Sequence, residues 1–280
     1  MRFLNGFGLF ALALAAGIFG SALPAAQAMP VDGGLGLQEA VTPVMHDIIA
    51  FHNLLLWIIT AIVVLVLALL IIIAVRFNSR SNPTPSKTTH NTLLEVAWTV
   101  LPVLILVVIA IPSFRLLYKE IVIPEADMTV KAVGYQWYWG YEYPDNGDIE
   151  LISNMVADED LEPGQPRLFT ADVSMVVPVD TTVRVIVTAA DVIHAFAVPQ
   201  FGVKVDAIPG RLNETWFRAE KTGMYYGQCS ELCGTRHAFM PINVLVVTQA
   251  EFEQWTEQQQ AAAETGGTIK LAEVADAETR

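Results

Sequence analysis

Apolar residues fall into three long runs before residue 115 and into short alternating runs after residue 128. Leu54 to Val75 is 22 residues long, with Thr60 as its only clearly polar member. At 1.5 Å per residue it gives about 33 Å of helix, which matches a bilayer core of about 30 Å. Val96 to Phe114 is a second uncharged run, of 19 residues, interrupted by Pro102 and Pro112. A membrane helix tolerates these prolines because neighbouring groups re-satisfy the carbonyls they free. The two runs predict a transmembrane helical hairpin over residues 54–117, with a connecting loop over residues 76–95.

The first run has different flanks. Residues 1–28 start with Arg2, stay apolar to the neighbourhood of Ala22 and end Ala26-Gln-Ala28, the small-x-small pattern of a cleaved secretory signal. A third membrane helix is the competing reading. Gly6, Gly8, Gly17 and Gly20, with the cleavage pattern, favour removal, so the mature chain is expected to begin near Met29 with an exported segment over residues 29–53. The hairpin loop carries Arg76, Arg80 and Lys87, whereas residues 31–53 carry Asp32, Glu39 and Asp47 and no Lys or Arg. Positive charge marks the cytoplasmic side, which places the loop there. Arg115 and Lys119 dilute this asymmetry, and the secretory signal is the firmer ground for placing both mature termini outside, in the periplasm of a bacterium whose inner (plasma) membrane holds the multi-pass chain.

Beyond Met128 the segments Thr129–Val133, Thr182–Val187, Glu214–Phe217 and Ile242–Val247 alternate and are rich in Val, Thr and aromatic residues. Pro144–Asp148 and Glu162–Pro166 carry turn chemistry. Short strands punctuated in this way predict a sandwich or barrel. Pattern alone says only that residues 118–263 form a small all-β domain ending in a helix, since Phe252 and Trp255 sit three apart between Gln249 and Ala263. Glu264 to Arg280 has few core-forming residues and is expected to be a disordered tail.

Composition sharpens this division. With 53% hydrophobic residues and a mean hydropathy of +0.45, the 280-residue chain is too apolar for one ordinary soluble domain and too charged near its C-terminal end to be wholly embedded. Its net charge is −13, and from Tyr118 onward 25 acidic face 11 basic side chains, a net of −14. Such acidity can serve solubility alone, but it also suits a basic protein partner. No nucleic-acid partner is expected.

Both cysteines lie in Cys229-Ser-Glu-Leu-Cys-Gly-Thr-Arg-His-Ala-Phe-Met240, so two thiolates, an imidazole and a thioether share one loop. These are the soft ligands copper prefers. A mononuclear blue-copper loop supplies one thiolate, whereas here Cys233 repeats the donor, and two bridging sulfurs imply room for two coppers. A second imidazole must come from elsewhere. Three of the four other histidines lie in or beside the hydrophobic N-terminal third, which leaves His194, in Asp191-Val-Ile-His-Ala-Phe-Ala-Val-Pro199. Read alone, paired cysteines outside the cytoplasm default to a disulfide, a Cys-x-x-x-Cys pair also occurs in copper chaperones, and His194 is an ordinary buried histidine.

The loop in full, Tyr225-Tyr-Gly-Gln-Cys-Ser-Glu-Leu-Cys-Gly-Thr-Arg-His-Ala-Phe-Met-Pro241, resembles subunit II of cytochrome c oxidase. Gln136-Trp-Tyr-Trp139 with Tyr141-Glu-Tyr143, Asp191-Val-Ile-His194 and Asp206-Ala-Ile-Pro-Gly-Arg-Leu-Asn213 follow the same family in the same order, and together the likeness covers roughly residues 45 to 255. Tyr135 stands where mitochondrial forms generally carry histidine, which leaves the tryptophan pair in place. The resemblance implies a cupredoxin-like sandwich carried outside the membrane on the hairpin. It also implies the electron-accepting subunit of an aa3-like haem-copper terminal oxidase. Electrons would arrive from cytochrome c and pass to the haem of subunit I, where oxygen is reduced to water with proton pumping, and subunit III would be a further partner.

The same resemblance assigns residues. Cys229 and Cys233 would bridge both ions of a two-copper CuA centre, His194 and Met240 would complete one, and His237 with the Glu231 carbonyl would complete the other. The Glu231 carboxylate, a hard oxygen donor, would reach a magnesium shared with subunit I. All copper ligands are protein atoms, leaving no open position for substrate, which suits a relay and not a catalyst. Trp137 would be the point where electrons enter. On a strand it would share one face with Trp139 while Tyr138 takes the other. Glu142, Asp172 and Asp191 are the implied docking acids. Glu95, in Glu95-Val-Ala-Trp98 just before the second span, could simply stabilise a helix N-terminus, and the resemblance implies a place at the entrance of a proton channel.

Other classes fit less well. A copper-trafficking or thiol-redox protein needs exchangeable sites and not six preset ligands, and quinol-oxidase subunits lack these ligands. Nitrous-oxide reductase shares the loop but carries a large propeller where this chain has two spans. No Cys-x-x-Cys-His occurs to signal a fused cytochrome c domain.

Overall fold

The computed structural model of the chain describes Val31 and residues 33–265. The signal expected over residues 1–28, and all of the expected tail beyond residue 265, lie outside the described residues.

Two helices are long and apolar enough to cross a membrane, α1 (Pro43–Arg76) and α2 (Thr92–Ile121). Both outrun the apolar stretches that announced them. The 34 residues of α1 reach about 51 Å, against a bilayer core of about 30 Å, because a helix ends where it is capped and not where its apolar run ends. Thr42 supplies the cap: its hydroxyl accepts from the Met45 N–H at 3.1 Å, and Pro43 takes the first position, where a missing N–H leaves no bond unmade. Thr42 is buried and also donates to the Phe201 carbonyl at 2.8 Å, which ties the helix start to the β domain. Asn78 closes the other end, donating to the Ala74 and Val75 carbonyls. Asn91 caps α2 through the Leu94 N–H, and Pro102 and Pro112 sit inside the helix. The expected boundaries at residues 53 and 117 thus move, since α1 takes in the end of the exported segment and α2 continues to Ile121.

Ten strands follow among the described residues: β1 (Met128–Tyr135), β2 (Tyr138–Tyr143), β3 (Ile149–Ser153), β4 (Met175–Pro178), β5 (Thr182–Ala189), β6 (His194–Val198), β7 (Val203–Ala207), β8 (Asn213–Arg218), β9 (Gly223–Gln228) and β10 (Pro241–Val247). One sheet runs β3-β2-β1-β5-β8, a second runs β4-β10-β9, and β6 and β7 pair as a hairpin. Strands β1 and β5 are parallel, as are β4 and β10, and the remaining pairs are antiparallel. In β5, Val183, Val185, Val187 and Ala189 are buried while the residues between them are half-buried, the period of a strand with one face on a core. Strands β4 and β6 are buried throughout. Trp139, Tyr141, Phe196, Phe217 and Ile242 fill the space between the layers of this cupredoxin-like sandwich. The last helix, α3 (Gln249–Thr265), covers one end by laying Trp255 on Tyr143, ring centroids 5.2 Å apart.

A hydrogen bond from Trp216 Nε1 on β8 to the Lys119 carbonyl, 3.0 Å, fastens the end of α2 to the sandwich as Thr42 fastens the start of α1. Lys119 also joins the two helices, donating to the Pro43 carbonyl at 3.0 Å and pairing with Asp47.

Candidate metal centre

The cysteine loop is the connection between β9 and β10. Its neck is drawn shut by the pairing of Gln228 with Pro241 and by a bond from the Cys229 N–H to the Met240 carbonyl, 3.3 Å. Ser230 donates its N–H to the Ala195 carbonyl at 3.1 Å, which pins the loop against the start of β6, where His194 stands. Four of the ligand-type residues named from sequence, Cys229, Cys233, Met240 and His194, are buried together, and His237 is half-buried at the loop's outer turn.

Both cysteines are free, with their sulfurs 3.9 Å apart. The disulfide reading is thereby set aside. The sulfurs are closer than two metal–thiolate bonds of about 2.3 Å placed end to end, so one ion can reach both. His194 Nδ1 lies 3.8 Å from the Cys229 sulfur, His237 Nδ1 lies 3.5 Å from the Cys233 sulfur, and the Met240 sulfur lies 3.6 Å from Cys233. The Glu231 carbonyl is 3.3 Å from the Cys229 sulfur, while its side chain is exposed. The donor atoms of His194, Cys229 and Cys233 all lie within 4.8 Å of one another. Two thiols, two imidazoles and a thioether converging in this way fit a copper site.

Electrostatics favour thiolate at one position. Burial is the largest influence and pushes both thiols up, but at Cys229 hydrogen bonds with His194, the Glu231 and Ala195 backbone and His237 together outweigh it and bring that group down to about 6. At Cys233 burial and the negative charge on Cys229 act together and push the thiol up to about 12. Burial works against a charged His194, yet the Cys229 sulfur and Asp191 overcome it and raise the imidazole above its ordinary value.

Trp137 corrects a prediction. Strand β1 ends at Tyr135 and β2 begins at Tyr138, so Gln136 and Trp137 are the two-residue turn between them, and the expected strand face shared by Trp137 and Trp139 does not exist. Trp139 alone enters the core, fully buried and edge-on to His194 and Phe196. Trp137 is half-buried and lies over the cysteine loop, its Nε1 donating to the Cys233 carbonyl at 3.3 Å. Gly234 makes that approach possible, since a Cβ there would stand 3.0 Å from the indole. Tyr135 stacks on Tyr138 at the base of the turn, with ring centroids 4.6 Å apart.

The named acids are already engaged. Glu142 binds Lys131 with both oxygens at 2.9 Å, and Asp172 accepts the Asn154 N–H at 2.7 Å. Asp191 accepts from the Gln136 and Val192 N–H groups and meets His194 Nε2 at 2.9 Å. Glu95 is half-buried in the first turn of α2, far from the loop in sequence and at the other end of the hairpin. Sequence reasoning missed Gln136 and Gly134. Gln136 donates through Nε2 to the Cys233 carbonyl at 2.8 Å, and a Cβ on Gly134 would meet the His194 ring at 2.9 Å. A glycine near the end of an otherwise regular strand was the available signal for close backbone approach.

A cupredoxin-like domain with a buried Cys-Cys-His cluster, anchored by two membrane-type helices, defines a membrane-anchored protein with a copper-type site. Comparison with known proteins narrows the class. The transmembrane domain of cytochrome c oxidase subunit II matches residues 30–116 and the periplasmic domain of that subunit matches residues 128–247. A probable cytochrome c oxidase subunit 2 of Rickettsia bellii is 52% identical over 243 residues, 87% of this chain and 90% of the relative. Cytochrome c oxidase subunit 2 of Cereibacter sphaeroides is 44% identical over 284 residues, covering 93% and 92%. Among solved structures, the periplasmic domain of subunit II of cytochrome oxidase from Bradyrhizobium japonicum is 61% identical, covering 50% of this chain and 98% of that one, with a TM-score of 0.47. The chain belongs to the cytochrome c oxidase subunit II family.

Proposed function

We propose that this chain takes electrons from cytochrome c on the periplasmic side of a bacterial inner membrane and hands them to subunit I, where oxygen is reduced. The observation that carries the proposal is a pair of free, buried thiols 3.9 Å apart, with an imidazole nitrogen beside each. Cys229 and Cys233 would hold two copper ions between them, with His194 and Met240 on one side and His237 and the Glu231 carbonyl on the other. Copper held by these residues would supply one-electron chemistry, and a pair of ions sharing one electron would need little rearrangement of the side chains that hold them. The burial of Cys229, Cys233 and Met240 excludes water, and the β9–β10 neck fixes their spacing. Trp137 would receive the electron and pass it through its hydrogen bond to Cys233.

The exposed Glu231 carboxylate offers one hard oxygen to a magnesium whose remaining ligands would come from subunit I and water. Subunit I would pack on the bare apolar sides of α1 and α2, and subunit III completes the assembly. The cleaved signal, periplasmic termini and cytoplasmic loop over residues 76–95 belong to the same reading, as does Glu95 at the mouth of a proton path in subunit I. The test is the electron paramagnetic resonance spectrum of the copper-loaded chain in detergent. Hyperfine splitting from two equivalent coppers, abolished in Cys229→Ser, is the expected result. A single-copper spectrum, or a Cys229→Ser protein that keeps the parental one, rejects the assignment.

A further inference from the structure

The Asp191 carboxylate is held in a way a docking charge does not require. Its Oδ2 accepts the Gln136 N–H at 2.7 Å, and its Oδ1 accepts the Val192 N–H at 2.6 Å and faces His194 Nε2 at 2.9 Å. Three donors converge on one side chain, a demand that an ionised carboxylate meets and a neutral amide cannot. His194 is fully buried, with Gly134 beneath its ring, so the imidazole has no solvent partner and its orientation is set by its neighbours. With Nε2 facing a carboxylate, a proton on that nitrogen is matched by Asp191, and Nδ1, which faces Cys229, is the nitrogen turned toward a metal. Gln136 repeats the device in the opposite direction. Its main chain is tied to Asp191, and its side chain donates to the Cys233 carbonyl at 2.8 Å, beside the bond from Trp137 to the same oxygen.

We propose that Asp191 and Gln136 form a clamp that fixes the ligating nitrogen of His194 and locks the Gln136–Trp137 turn onto the cysteine loop, so that Asp191 is a positioning residue for the metal centre. The proposal rests on the copper reading for its consequence but not for its geometry, which belongs to the metal-free chain. Residues 136, 191, 194 and 233 come from three separate segments, and the clamp is what holds the Trp137 indole at one distance from Cys233.

The experiment uses the full chain in detergent. In the metal-free protein the Gln136 amide, although it lies in an exposed turn, is expected to be protected from hydrogen exchange. Asp191→Asn should speed that exchange at least tenfold while the amides of β5 keep theirs, because one of the three donors must then face an NH2 group. On copper loading, Asp191→Asn should lower copper affinity by about 10–100-fold and shift the copper reduction potential upward, at low and high salt alike. Gln136→Leu should keep copper affinity within about twofold and slow copper reduction by cytochrome c already docked. An unprotected Gln136 amide in the unsubstituted chain overturns the clamp even if the variants misfold. It is equally overturned if Asp191→Asn keeps parental affinity and potential and changes only the association rate with cytochrome c at low salt. Should the unsubstituted chain bind no copper, the functional reading falls, and the exchange measurement still decides the clamp.

Discussion

At the residue scale the loop from Cys229 to Met240 concentrates soft donors, and the structure shows that they are not equivalent. The cysteines are central, each within 3.9 Å of the other and of an imidazole nitrogen, whereas the Met240 sulfur lies 3.6 Å from Cys233. A thioether at the edge of a thiolate pair is a weak ligand that tunes potential more than it retains metal. Met240→Leu is accordingly expected to keep two coppers per chain by metal analysis and to shift the midpoint potential in a spectroelectrochemical titration; loss of half the copper would make Met240 a principal ligand. The ligand types were legible in the sequence. The role of Asp191 was not, because a carboxylate three residues before a histidine in a strand-rich region is compatible with an outward-facing charge, and only the fold turns it inward on His194.

At the element scale the apolar runs foretold both helices and the caps corrected their ends. Thr42 is the clearest case, since one hydroxyl satisfies the first turn of α1 and a carbonyl 159 residues away. Thr42→Ala removes the cap and leaves the Phe201 carbonyl buried without its donor, a loss of about 1–2 kcal/mol. Amide exchange in the first turn of α1 should rise about 5–30-fold, Thr42→Ser should restore most of the protection, and parental protection in the alanine variant would show that the cap contributes nothing. The four strands expected from alternation are all present. The turn between β1 and β2 escaped notice because Gln136 and Trp137 are neither Gly, Asn nor Asp, the residues that announce two-residue hairpins.

At the scale of the whole molecule, net acidity is concentrated after the second helix, with a net of −14 from Tyr118 onward. A field of that sign raises the association rate of a basic partner and is screened over about 10 Å at 0.1 M salt. One kinetic series on the assembled oxidase separates electron delivery from proton delivery. Asp172→Asn and Glu142→Gln should each slow cytochrome c association a few-fold at low salt and converge with the parent at high salt, Glu142→Gln also exposing an unpaired Lys131. Glu95→Ala should leave copper reduction unchanged and slow oxygen turnover in an enzyme with full haem and copper content. Salt-independent association would reject steering, and normal turnover would return Glu95 to the role of a helix-terminal acid.

The sequence by itself determined the inventory: two spans, a strand-rich acidic domain and a soft-ligand loop, because hydrophobic period and residue chemistry act over a few neighbours. What only the tertiary structure decided is how the inventory closes. His194 reaches Cys229 across 35 residues and Gln136 reaches Cys233 across 97. Which nitrogen of His194 faces the sulfurs, and which carboxylate faces the other nitrogen, depends on three segments meeting, a long-range condition that local pattern does not encode. Trp137 lies on the cysteine loop for the same reason, because sheet pairing carries its turn there and Gly234 leaves room for the ring.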